Sequence, residues 1–302
     1  MEFLRYWQKV LQDSGKVWLD ENAFSFAGAL AFYTLFSLAP IVIIAVTVIG
    51  LVLGEEAAQG EIVAQFTDVM GAEAASVVER AVSQSRIEES GIWPTVLGVG
   101  ALMLGATTVF GQMQYSLNSI WGVTANPNKN SLYMLARKRL FSLTVVLSIG
   151  FVLLVSLMFG VALRAVLNFT AEFLPFVELL LGSAEFLVSL AMITLLFSTI
   201  FKVLPDVVLS WKDVVLGALI TAILFSLGRY GIAAYLAYTA TASTYGAAGS
   251  VVLILLWVYY SSLILLFGAA FTRVHMQAQG KKIIPRNTAV LVEKQIKEQE
   301  PV

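Results

Sequence analysis

The side chains best placed to do chemistry in this sequence are polar groups that interrupt two long apolar segments. Tyr33, Ser37 and Pro40 lie near the middle of the first segment, and Gln114 and Asn118 lie towards the end of the second. At 100° per residue, each set falls along one line of a helix. Polar groups in hydrocarbon must face protein or water, because each unpaired group costs several kcal/mol. These lines therefore predict inward-facing surfaces.

Two interpretations of these surfaces stay open. Small residues along a helix let its neighbour approach closely, so one interpretation is a dry packing seam. The bulky polar groups of Tyr33, Gln114 and Asn118 fit better in a hydrated or amphiphile-accepting cavity. Pro40 frees one backbone carbonyl group and predicts either a hinge or a bend. Two later segments carry similar lines, formed by Gly217, Thr221, Gly228, Gly231 and Tyr235 and by Ser250, Trp257, Ser261, Gly268 and Thr272.

A second candidate site is a charge pair inside the membrane. Only 16 uncharged residues separate Glu185 from Lys202, and the corresponding helix of about 24 Å is too short to cross a bilayer. Arg229 lies at a similar height above Asp213 on the next segment. We therefore predict that Glu185 pairs with Arg229, with Arg164 as the next nearest cation. The pair either ties helices together or forms a gate or headgroup site, unless Arg229 extends outward to the interface.

Catalytic and metal chemistry find little support in these residues. The chain has no cysteine and a single histidine, His275, which argues against thiolate chemistry and a zinc site. Glu185, Asp206 and Asp213 are too few carboxylates to predict a metal-dependent nuclease. No GxSxG, Walker or HExxH sequence is present. We expect no catalytic residue, no metal and no cofactor, and we predict that the protein is not an enzyme.

The elements that position these residues are membrane helices. The 302 residues are 58% hydrophobic and 13% charged, with a mean hydropathy of +0.82, which is typical of an integral membrane protein. Uncharged segments long enough to cross a bilayer occur at 26–53, 92–117, 140–163, 182–203, 213–236 and 246–271. The predicted fold class is all-α, a polytopic bundle of six transmembrane helices.

The distribution of charge predicts the orientation of this bundle. Of the 19 Lys and Arg residues, 15 fall on one side of the predicted spans, so both termini are expected in the cytoplasm. The net charge of −1 gives no sign of a nucleic-acid partner.

Three segments flank or interrupt the spans of the predicted transmembrane domain, residues 1–275. Segment 1–21 is expected to form an amphipathic helix at the inner interface. Segment 55–91, rich in acids, is expected to form short amphipathic helices outside, as a lid or as a solvated loop. The tail 276–302 is expected to be cytoplasmic and partly disordered. His275 beside it is expected to be a solvated side chain.

Five motifs together carry a family resemblance. They are ALAFYTLFSLAP, LNSIWG, RKRLFSL, FKVLPD and YGAAGSVVLILLWVYYSSLILLFGAAFTRV. Over residues 20–275 the chain resembles the YihY/BrkB family of bacterial inner-membrane proteins. Members have been linked to serum resistance and, in a related branch, to lipid export, and were once labelled ribonuclease BN. The resemblance implies a six-helix bacterial inner-membrane protein. The sequence departs from the family at Gly268, Ala269 and Ala270, where a GAE is common, so a role for that acid does not carry over.

These observations favour a transporter-like or flippase-like protein that handles a lipid or another amphiphile. The alternative is a non-transporting scaffold or an envelope-assembly or resistance protein. The two halves of the chain show no inverted repeat, which weakens the transporter interpretation. Membrane lipids are the expected partners, nucleic acid is not, and a homo-oligomer or an unknown envelope partner stays open.

Overall fold

The computed structural model describes residues 2–70, 75, 76, 79, 92–126, 177–238 and 247–293, with some helical side chains excepted. Within these residues the helices are α1 (Glu2–Asp20), α2 (Ala23–Leu53), α3 (Glu55–Met70), α4 (Ile92–Ile120), α5 (Val177–Val203), α6 (Trp211–Tyr238) and α7 (Ala247–Ala278). Two short strands are β1 (Val123–Ala125) and β2 (Ala289–Leu291). The predicted third span, 140–163, lies outside the described residues.

Three of the described helices are long and apolar enough to cross a membrane. They contain the segments Phe186–Val203, Trp211–Ile232 and Val251–Ala278, and α2 adds the shorter apolar segment Ala23–Leu38. The protein is therefore a helical membrane protein, as predicted. Helix α1 occupies most of segment 1–21, and helix α3 occupies the first part of segment 55–91.

Helix α2 follows α1 after a tight change of direction. Asn22 adopts a left-handed conformation with φ of 55°, which asparagine tolerates better than most residues. The helix then continues for 31 residues to Leu53, and Gly54, with φ of 87°, ends it. The backbone of α2 is helical on both sides of Pro40, whose side chain lies outside the described residues.

Among the described helices, α7 packs against α1, α2, α4 and α6. Its contact with α6 is antiparallel, since Gly217 lies beside Thr272 and Gly228 lies beside Tyr260. Helices α5 and α6 form a second antiparallel pair, with the rings of Phe197 and Phe225 in edge contact at 5.8 Å.

The contact between α6 and α7 contains two notches, in each of which a glycine of one helix faces a threonine of the other. A methyl group added at Gly217 would overlap the hydroxyl of Thr272, and one added at Gly268 would overlap the hydroxyl of Thr221. Each threonine hydroxyl also donates to a carbonyl oxygen four residues earlier in its own helix, at 2.7 Å in both cases. Gly217 and Thr221 of one predicted line thus face Gly268 and Thr272 of the other, and close packing accounts for these four residues.

The fold class is all-α, as predicted, with one small addition. Strand β1 pairs antiparallel with β2, with Thr124 opposite Val290. Residues 281–293 of the predicted cytoplasmic tail also pack against the helix ends, where Val207 and Pro285 form an isolated β-bridge. The strands are three residues long, too short to show the alternation by which a strand is recognised in a sequence.

Candidate functional site

Polar side chains collect where α4, α5 and α7 end and where α2 and α6 begin. We call this cluster the polar end, and its members are Glu21, Gln114, Asn118, Asp206, Asp213, Arg273, Lys281, Arg286 and Thr288. Beside it lies the largest apolar core among the described residues, which includes Leu117, Trp121, Phe201 and Leu266, all fully buried.

Asp206 is the centre of the polar end. It lies in the connection between α5 and α6, directly after Pro205, and is only 8% exposed. Its Oδ2 atom accepts hydrogen bonds from Asn118 Nδ2 at 2.9 Å and from Gln114 Nε2 at 3.2 Å. Its Oδ1 atom accepts one from Thr288 Oγ1 at 3.2 Å. The backbone N–H of Asp206 donates in return to Asn118 Oδ1 at 2.8 Å, so the asparagine and the aspartate bind each other twice.

The carboxylate of Asp206 is stabilised by neutral donors. In the part of the chain that the structure describes, no Lys or Arg nitrogen lies within 4.0 Å of it. Burial of a charge is costly unless hydrogen bonds replace its hydration, and bonds to a charged group contribute about 1.5–3 kcal/mol each. Gln114, Asn118 and Thr288 therefore decide whether this carboxylate can stay buried.

Arg286 binds the end of α5 from the tail. Its Nη2 and Nη1 atoms donate to the carbonyl oxygens of Lys202 and Val203 at 2.9 and 3.3 Å, and its backbone N–H donates to the carbonyl oxygen of Asp206 at 2.8 Å. The last carbonyl groups of a helix lack partners within the helix and carry partial negative charge, so a guanidinium group is favourable there. Arg286 thus holds the tail and the Asp206 connection together.

Arg273 joins three helices at the same end. From α7 its Nη1 atom donates to the carbonyl oxygen of Ile120, the last residue of α4, at 2.5 Å. The same atom lies 3.8 Å from Oε1 of Glu21, just before α2, and Ser119 donates to the other oxygen of Glu21 at 3.3 Å. Gly122 lies next to this guanidinium group, and its φ of 65° is a left-handed conformation that favours glycine.

The start of α6 is bound by the tail in a similar way. Asp213 accepts a hydrogen bond from the backbone N–H of Ser210 at 2.9 Å, which satisfies a free donor at the helix start. Lys281 Nζ lies 2.5 Å from the other oxygen of Asp213. Lys281, Arg286 and Thr288 therefore tie one stretch of tail to α6, to α5 and to Asp206.

The predicted cavity residues lie at different levels of the bundle. Gln114 and Asn118 belong to the polar end, where they bind the same carboxylate. Ser37 instead donates to the carbonyl oxygen of Gly105 at 2.6 Å, nine residues before Gln114, about 13 Å along α4. Tyr33 is 37% exposed beside the outward-facing ring of Phe32. A cavity shared by these residues stays a prediction.

The predicted charge pair lies largely outside the described residues. Glu185 lies on α5, but its side chain is among those not described, and Arg164 is outside the described residues altogether. Arg229 lies over the ring of Tyr230, with 5.2 Å between the guanidinium carbon and the ring centre. The pairing of Glu185 with Arg229 stays a prediction.

Sequence reasoning missed the centre of the site and one neighbouring contact. Asp206 was considered only as one of too few carboxylates for a nuclease, and Arg273, Arg286 and Thr288 were not singled out at all. The expectation for His275 was wrong: its ring is half-buried, stacks on Trp7 at 5.3 Å and lies 3.1 Å from the hydroxyl of Tyr6. The available signal was FKVLPD, in which a proline ends a helix directly before a lone acid.

The described residues of the polar end include no candidate set of metal ligands. Among the described residues, no three His, Cys, Asp or Glu side chains come together in a way that could hold a metal ion. The polar end is therefore a network of hydrogen bonds and ion pairs between helices.

Similar proteins are named as membrane proteins. UPF0761 membrane protein MS0032 of Mannheimia succiniciproducens is 26% identical over 254 residues, which is 82% of this chain and 83% of that protein. The UPF0761 membrane proteins of Alcanivorax borkumensis and Azotobacter vinelandii are 26% and 29% identical. Those matches cover 88% and 89% of this chain but only 60% and 62% of the relatives, so the chain spans about three fifths of their length.

The family is shown by a match that covers most of the chain. No solved structure gives a significant match. The sequence profile described as Virulence factor BrkB matches residues 15–290, which include every member of the polar end. The chain therefore belongs to the BrkB virulence factor family of membrane proteins.

Proposed function

We propose that the protein is a transporter-like or flippase-like protein of the bacterial inner membrane that moves a lipid or another amphiphile, with the polar end as its closed cytoplasmic gate. It works without a cofactor and is not an enzyme. The observation that carries the proposal is the junction between α4 and the α5–α6 pair, where Gln114 and Asn118 bind the buried carboxylate of Asp206. Water can replace these bonds when the helices separate, whereas interlocked apolar side chains have no such substitute.

The direction of the helices supports six spans with both termini in the cytoplasm. Helix α4 and helix α5 both end at the polar end, so the chain between them has to return to the opposite side. A crossing by segment 140–163 provides that return. Basic residues also concentrate here, including Lys202, Lys212 and Lys281, and cytoplasmic flanks hold such an excess.

The orientation can be tested with single cysteines, because the chain has none of its own. Ser131→Cys and Asn287→Cys are expected to react with a membrane-impermeant maleimide only from the cytoplasmic side, and Glu73→Cys only from outside. The measurement compares intact cells with inverted membrane vesicles. Reaction of Ser131→Cys in intact cells would contradict the proposed topology.

Transport can be tested in reconstituted vesicles that carry a fluorescent phosphatidylethanolamine or phosphatidylglycerol in both leaflets. Dithionite bleaches the outer leaflet, and further loss of signal reports lipid movement. The protein is expected to speed this movement over protein-free vesicles. Asn118→Ala is expected to speed it further, because the variant removes two bonds that close the gate.

The alternative is a membrane scaffold that does not transport. The tightly buried core beside the polar end favours it, because Leu117, Trp121 and Phe201 have no contact with solvent. If lipid movement equals that of protein-free vesicles for both lipids, with and without Asn118→Ala, the scaffold is supported and the gate is rejected.

A further inference from the structure

Helix α1 is bound to the bundle along one face. The hydroxyl of Tyr6 lies 3.1 Å from Nδ1 of His275, and the ring of Trp7 stacks parallel to that of Phe271. Trp18 Nε1 donates to the carbonyl oxygen of Leu263 at 3.1 Å. Residues 263–275 belong to a helix apolar enough to cross a membrane. This face therefore holds α1 beside the end of a span.

A second face of α1 is apolar and exposed. Leu4 is 73% exposed, and Leu11 and Leu19 are exposed as well. At 100° per residue these three leucines lie within an arc of about 80°. Trp18 borders this arc and packs on the exposed ring of Phe24 at 4.7 Å, so the arc continues onto the outer surface of α2.

A third face of α1 is basic and borders the leucines. Arg5, Lys9 and Lys16 are all exposed and lie within an arc of about 40°. Asp13 and Asp20 lie further round the helix, away from the leucines. The ion pair of Lys16 with Asp13 is weak, with 3.9 Å between the charged atoms and the lysine side chain 75% exposed.

We propose that α1 is a binding surface for anionic phospholipids in the leaflet at the polar end. The leucines enter the boundary between acyl chains and headgroups, and the three bases beside them reach the phosphate groups of lipids such as phosphatidylglycerol. A helix with an apolar arc, a neighbouring basic arc and acids on the far side has the charge pattern of an interfacial helix. Each Lys or Arg near an anionic surface strengthens binding by about fivefold. This assignment does not depend on whether the protein transports lipid.

The test uses lipid quenching of a single fluorophore. Leu11→Cys, labelled with bimane, is reconstituted in vesicles that contain brominated phosphatidylcholine or brominated phosphatidylglycerol. Both lipids are expected to quench the fluorophore, and phosphatidylglycerol is expected to bind with several-fold preference. In the Arg5→Gln, Lys9→Gln, Lys16→Gln background that preference is expected to fall to about one, while quenching by phosphatidylcholine remains.

Two controls make the result specific. Thr124→Cys, exposed on β1 where it pairs with β2, is expected to stay unquenched because this strand pair is not part of an apolar span. Lys212→Gln with Lys282→Gln removes two exposed bases elsewhere and is expected to leave the preference at Leu11→Cys unchanged. Absence of quenching at Leu11→Cys would mean that water or protein covers this face, and equal quenching by the two lipids would mean that no anionic lipid is selected. Either result would overturn the proposal.

Discussion

Gly217→Ala is expected to lower the free energy of unfolding by about 2–3 kcal/mol. The new methyl group would overlap the hydroxyl of Thr272 and would lie 2.9 Å from the carbonyl oxygen of Gly268. A backbone carbonyl cannot rotate away, so α6 and α7 have to separate along this contact, and overpacking of this kind typically costs 1–3 kcal/mol. Gly268→Ala is expected to act in the same way from the other helix, through Thr221. The measurement is reversible unfolding of the purified protein in detergent.

A matched control lies on the same helix. Among the described residues, no atom lies within 4 Å of a methyl group added at Gly231, so Gly231→Ala is expected to stabilise α6 by about 0.5–1 kcal/mol. Thr272→Ala combined with Gly217→Ala is expected to recover part of the loss, because it removes the overlapping hydroxyl. Equal stability of Gly217→Ala and Gly231→Ala would show that the notch does not hold the two helices together.

Asp206→Ala is expected to cost about 3 kcal/mol. The substitution leaves the amides of Gln114 and Asn118 without their acceptor, and each buried donor without a partner costs about 1–3 kcal/mol. Asp206→Asn keeps one acceptor oxygen and is expected to cost less, about 1 kcal/mol. The same unfolding measurement applies, with cleavage of the tail by a protease as a second readout, because Thr288 would lose its acceptor on the connection.

Asp13 provides the control for this second experiment. Its carboxylate is exposed and lies 3.9 Å from Lys16, so Asp13→Ala is expected to change stability by less than about 0.5 kcal/mol. If Asp206→Ala unfolds at the same denaturant concentration as Asp13→Ala, the buried carboxylate does not organise the polar end.

The sequence could predict which faces turn inward but not which residues meet. The line through Gly217 and Thr221 and the line through Gly268 and Thr272 follow from the local period of a helix, and both were recognised. Their mutual contact depends on how two helices are placed in space. The same holds for Asn118, which was predicted to face inward and whose partner Asp206 is 88 residues away.

Other features left no local signal. The stacking of Trp7 on His275 joins residues near the two ends of the described chain. In the sequence Arg286 is one charged residue of a polar tail, and its contact with the end of α5 is visible only in the structure. Composition therefore predicts helices and their apolar faces reliably, because burial follows from hydropathy. The polar contacts between distant helix ends depend on the full arrangement, and sequence periodicity carries no information about them.

The order of synthesis gives the polar end a further consequence. Asn118 leaves the ribosome 88 residues before Asp206, and Thr288 follows 82 residues after Asp206. At 5–20 residues per second, each interval lasts roughly ten seconds. During the first interval the side-chain amides of Gln114 and Asn118 on α4 lack their acceptor, Asp206. During the second interval the carbonyl groups at the end of α5 lack their donor, Arg286. Residues 286–288 thus complete the site that α4 began, and a nascent chain halted before residue 286 would present an unfinished helix end to the membrane proteases that degrade incomplete proteins.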